Sequence, residues 1–115
     1  MPIIDADTHI DETEATWEYL RDFEQEFKPI TQHPSRVDPS KNPARYWLVD
    51  GHRQMRFVRS DENTRTTVET RELLDVQKRL RDMDAMGTEV QVIYPTLFLM
   101  EATERPEVST ALRRS

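Results

Sequence analysis

With 115 residues the chain is one domain at most, and at 36% hydrophobic and 33% charged residues it is polar for a self-contained core. A net charge of −6 argues against a nucleic-acid backbone or an anionic membrane as partner. The lack of cysteine excludes a disulfide framework and a thiolate metal site, and suits a reducing cytoplasm, the expected location.

The opening, MPIIDADTHIDE, has neither the basic segment nor the long apolar run of a secretory signal. No window approaches the ~20 apolar residues of a membrane helix. Ile3 to Thr8 reads as a short strand, since Ile3 and Ile4 favour extended backbone. Thr13 to Phe27 has helical spacing, with Trp17, Leu20, Phe23 and Phe27 on one face, Thr13 as N-cap and Pro29 as the stop. Residues 29–43 hold four prolines among polar residues and read as a loop.

A hairpin follows. The run from Tyr46 to Val49 is strand-like, Asp50 and Gly51 form a preferred two-residue turn, and His52 to Val58 returns. Arg59 to Thr70 lacks an apolar period and is expected to be an exposed connection. Leu73 to Met86 is the clearest helix, with Leu73, Val76, Leu80 and Met83 as its stripe and Gly87 just past its end. Val90 to Tyr94 is a continuous apolar strand, expected to be buried on both faces as in a parallel sheet. Leu97 to Met100 could line a pocket or start a turn. Pro106 begins a final helix with Val108, Ala111 and Leu112 on one side. Two apolar strands separated by helical crossovers imply an α/β fold with a parallel sheet. These parts look like the beginning of a (β/α)8 barrel with an inserted hairpin.

Asp5, Asp7 and His9 are the sharpest chemical feature. On a regular strand these alternate positions share one face. A carboxylate and an imidazole at the strand's C-terminal end could converge on one cation at roughly 2.0–2.2 Å, where barrel enzymes keep their active sites. Spacing alone leaves another reading open, in which Asp7 merely orients His9 or begins a turn.

MPIIDADTHIDE resembles the first strand of the amidohydrolase-related family, which includes aminocarboxymuconate-semialdehyde decarboxylase and γ-resorcylate decarboxylase. RLRDMDAMGTEVQVIYPT, residues 79–96, is similar to that family's helix-Gly-strand segment, and YWLVDGHR, residues 46–53, to an insertion found in some members. The resemblance spans most of the chain. It implies that Asp7 and His9 bind a divalent metal, usually zinc with manganese as an alternative, and that Asp5 lies behind them and orients the strand end. It further implies metal-assisted hydrolysis or non-oxidative decarboxylation of a small carboxylated or cyclic substrate. Members of the family are much longer and draw their remaining ligands from later strands. The chain is therefore expected to be an N-terminal portion with an incomplete site, inactive by itself.

His33 and His52 read as surface residues, although the hairpin's family role would bring His52 to the substrate. Tyr94 and Thr96 would border the pocket and could hydrogen-bond substrate, with packing as the plainer role for Tyr94. Trp17, Met83 and Met86 read as core, and Arg53, Arg56 and Arg59 as a solvated face. Two glycines exclude a P-loop or dinucleotide fingerprint. Two other classes stay open: a non-catalytic α+β interaction module, and one subunit of a split enzyme completed by a partner chain. A truncated or split enzyme should self-associate or require that partner, because nothing in the chain obviously covers the strand at 90–94.

Overall fold

In a computed structural model the described residues are 1–99 and 101–115. The side chain of Phe98 and all of Met100 lie outside them, so the apolar run at 97–100 is read only at Leu97 and Leu99. The chain divides into two compact units, Met1–Glu12 with Arg59–Leu99, and Thr13–Val58 with Met100–Ser115.

The first unit is built on two parallel strands, β1 (Ile4–His9) and β5 (Val90–Tyr94). Among the described residues they form a sheet of their own. Their register is broken once. Asp5 faces Gln91 and Thr8 faces Ile93, so Ala6 and Asp7 together oppose Val92. This is a β-bulge, which is rare between parallel strands.

The helix before β5, α3 (Val76–Met86), starts three residues later than its apolar pattern suggests. Leu73 adopts a left-handed φ of 54°, which stops a helix from running through it. Asp75 then caps α3 by accepting the Lys78 N–H at 2.8 Å. Gly87, at φ 71°, closes the helix, as its position predicts.

The stripe on α3 does not make the core expected of it. Val76 is 55% and Leu80 45% exposed, and Met86 is exposed as well. The helix instead turns Arg79 inward, where Nε donates to Gln91 Oε1 at 3.1 Å and Nη1 to the Thr70 carbonyl at 2.9 Å. β5 is likewise open: Val90, Val92, Ile93 and Tyr94 are each 40–46% exposed, against the expectation of burial on both faces.

The polar stretch after Arg59, expected to be an exposed connection, forms two short helices, α1 (Asp61–Thr64) and α2 (Val68–Arg71). Ser60 caps α1 by accepting the Asn63 N–H. Buried Arg71 gathers the segment. Its Nη1 donates to Asp61 Oδ1 at 2.9 Å and Thr64 Oγ1 at 3.0 Å, and its Nε lies 3.5 Å from Asp11 Oδ2. A guanidinium with several donors can order a polar loop that has no apolar face of its own.

The second unit carries an antiparallel sheet in the order β2 (Ile30–Gln32), β3 (Tyr46–Val49), β4 (His52–Met55). The turn between β3 and β4 has positive φ at both Asp50 (48°) and Gly51 (76°), the two-residue hairpin geometry that an Asp-Gly pair favours. β2 lies within the stretch expected to be a loop. The single helix expected over 13–27 is two short 3-10 helices, Glu14–Trp17 and Asp22–Phe27. Glu24 turns back to accept the Arg21 N–H at 3.1 Å, and this starts a new turn in place of a continuous helical ladder. Phe23 is consequently exposed, while Trp17 and Leu20 are buried. The Trp17 ring packs edge-on against Trp47 at 6.4 Å. Val49 is also buried, as are Val108, Ala111 and Leu112 of the final helix, α4 (Pro106–Arg114).

Candidate functional site

The bulge decides which side chains of β1 stand together. Asp5 is opposite Gln91 and His9 is opposite Tyr94. Gln91 and Tyr94 are three residues apart on a regular strand and so face opposite ways. Asp5 and His9 therefore lie on opposite faces, and the expectation that Asp5, Asp7 and His9 share one is corrected by the extra residue.

Asp5 holds the bulge itself. Its carboxylate accepts the Thr8 hydroxyl at 2.6 Å, the Asp7 backbone N–H at 3.2 Å and the Gln91 amide at 3.4 Å. The Thr8 hydroxyl foremost, then the Asp7 N–H, keep the Asp5 carboxyl below the usual carboxylate range. Gln91 and the Arg79 charge act in the same direction, and burial opposes them.

Asp7 and His9 do meet. Asp7 Oδ1 and His9 Nε2 are 3.4 Å apart at the C-terminal end of β1. His9 Nδ1 lies 3.1 Å from the carbonyl oxygen of Pro95, just past the end of β5. A carbonyl can only accept, so Nδ1 carries the proton of this hydrogen bond. In the neutral ring Nε2 then presents its lone pair beside the Asp7 carboxylate. This is how metal-binding histidines are held, with the far ring N–H on a carbonyl or carboxylate.

The geometry suits two donors to one ion. Donors at about 2.0–2.2 Å from a tetrahedral centre stand about 3.3–3.6 Å apart. A third donor is missing: among the described residues no three His, Asp or Glu side chains are grouped closely enough to hold a metal.

Backbone and side-chain hydrogen bonds join the two strand ends. The Ile10 N–H donates to the Tyr94 carbonyl at 3.2 Å, and the Thr96 hydroxyl to the Ile10 carbonyl at 2.6 Å. The Thr96 hydroxyl proton is thus engaged in the fold. Buried Glu12 accepts the Thr96 and Leu97 N–H groups, each at 2.9 Å. The Tyr94 ring centre lies 6.0 Å from that of His9, and Tyr94 is partly open to solvent. Glu12 and the Pro95 carbonyl were not legible as site residues, since only the proximity of Glu12 to His9 hinted at a role. His52 is exposed in the hairpin of the other unit, and His33 is half-buried there.

A cleft of about 720 Å3 is lined from β1 by Asp5, Asp7, Thr8 and His9; Tyr94, Thr96 and His52 are not among its lining residues. Gln91 of β5 and Arg79, Asp82 and Met83 of α3 also line it. No family model, no curated protein and no solved structure matches the chain. Among the described residues, no helix is long and apolar enough to cross a membrane.

Proposed function

We propose that this chain is the N-terminal portion of an amidohydrolase-related enzyme, in which Asp7 and His9 supply two ligands to a divalent ion, zinc first and manganese as the alternative. Its reaction is metal-assisted hydrolysis or non-oxidative decarboxylation of a small carboxylated or cyclic substrate, and its compartment the cytoplasm. The observation that carries this reading is the 3.4 Å approach of Asp7 Oδ1 to His9 Nε2, with Nδ1 on the Pro95 carbonyl. Bound there, the ion would supply Lewis acidity to a substrate oxygen or a water.

The chain's own residues have separate tasks. The Pro95 carbonyl holds the imidazole so that Nε2 is the donor atom. Asp5 holds the bulge from which Asp7 projects. The open edge of β1 and the exposed apolar side chains of β5 suit the addition of further strands, as two strands alone make a poor sheet. That same edge also supports the split-enzyme reading, in which a partner polypeptide supplies the remaining strands and ligands.

The test is to add Mn2+ to the isotope-labelled chain and map the paramagnetic broadening. Broadening centred on Asp7 and His9, and lost in His9→Ala, is expected. Broadening that is absent, or that survives in His9→Ala, would count against the ligand assignment and favour a non-catalytic module.

A further inference from the structure

Glu12 is only 5% exposed, and what its carboxylate receives is backbone. Both of its oxygens take the Leu97 N–H, at 2.9 and 3.1 Å, and one also takes the Thr96 N–H at 2.9 Å. A buried carboxylate is costly unless it is well compensated, so its place beside these two donors is a strong constraint on the chain. Thr96 directly follows Pro95, and proline fixes its own φ. Holding the N–H groups of the next two residues therefore fixes the Pro95 carbonyl, which accepts from His9 Nδ1 at 3.1 Å.

We propose that Glu12 is a positioning residue for His9: by clamping Thr96 and Leu97 it holds the Pro95 carbonyl on Nδ1 and so selects the tautomer that leaves Nε2 unprotonated and turned to Asp7. Glu12 lies three residues after His9, and the turn it grips lies just past the neighbouring strand. The clamp thus ties the ring to the second strand through the backbone. Its consequence for metal binding rests on the ligand reading of His9, whereas the tautomer itself does not.

The experiment is 15N NMR of the His9 ring in the metal-free chain, above the pH at which the ring is protonated. In the parent chain the Nδ1–H form should predominate. In Glu12→Ala the ring should revert towards the mixture of an unconstrained imidazole, and the Thr96 and Leu97 amides should lose protection from hydrogen exchange. Glu12→Gln keeps the volume and one acceptor, and should show a partial loss of both; it carries the test if the alanine variant does not fold. An unchanged Nδ1–H form in a folded Glu12 variant, or a parent ring protonated at Nε2, would overturn the proposal. No metal enters the readout, so its failure is distinct from a failure of the ligand assignment.

Discussion

The Thr8 hydroxyl sits 2.6 Å from Asp5 Oδ2, across the residues that break the register of β1. The contact is made to the ionised carboxylate, which lowers the Asp5 pKa from its ordinary 3.8. A carboxyl with a lowered folded pKa stabilises the fold above its unfolded pKa, and that stabilisation is lost as pH falls through the folded value. The Asp5 carboxyl carbon should therefore titrate with a midpoint below 3.8, and the bulge should loosen only in the acid range below it. In Asp5→Asn this acid-dependent change in the amide shifts of Asp7 and Thr8 should be absent.

Arg71 is the most connected side chain of the first unit. Removing its guanidinium unties α1 from Asp61 and Thr64, while Asp11 keeps Arg59 at 2.7 Å. Arg71→Ala should cost about 1.5–3 kcal/mol, the range for lost hydrogen bonds to a charged group. Urea unfolding followed by circular dichroism would measure it, and a cost under about 1 kcal/mol would mean that the network is incidental.

Gly51 sits at φ 76° with nothing within 4 Å of where a Cβ would be. A side chain there meets no clash, so the penalty is conformational alone. Gly51→Ala should lose about 1–2 kcal/mol, read as a lower thermal midpoint with an unchanged hairpin spectrum.

Trp17 and Leu80 are both apolar residues on helical stripes, with opposite fates. Trp17 is 2% exposed, and Trp17→Ala should cost about 3–5 kcal/mol. Leu80 is 45% exposed, and Leu80→Glu should change stability by no more than about 0.5 kcal/mol. Denaturant midpoints of the two variants would check the contrast; a large loss in Leu80→Glu would mean that α3 is covered in solution, as in a self-associated form.

On the proposed ligand reading, Asp7 and His9 would be one donor short of the three protein ligands usual in catalytic zinc sites. The chain by itself should therefore show no hydrolase or decarboxylase turnover with added zinc or manganese. Turnover that vanishes in His9→Ala would overturn the incomplete-site argument.

Local signals were the most legible part of the fold. Asp50 and Gly51 gave the hairpin, Gly87 the end of α3, and Val90 and Tyr94 the bounds of β5, because each rests on neighbouring residues. What escaped depends on partners distant in sequence. No period marks the 59–71 segment, whose order comes from Arg71. The stripe on α3 announced an apolar face but could not say whether anything covers it. At the site, spacing placed Asp7 beside His9, but it missed the bulge that separates Asp5 from them. It also missed the Pro95 carbonyl, 86 positions away in sequence.

β1 contains one residue more than β5 requires. Between the Asp5–Gln91 and Thr8–Ile93 pairs, the first strand spends two residues where the second spends one. A chain lacking Ala6 could keep every one of these pairs in a regular strand. The surplus is slack in the strand, and Asp5, through Thr8 and the Asp7 N–H, is the knot that stops it from slipping along to the end where His9 sits.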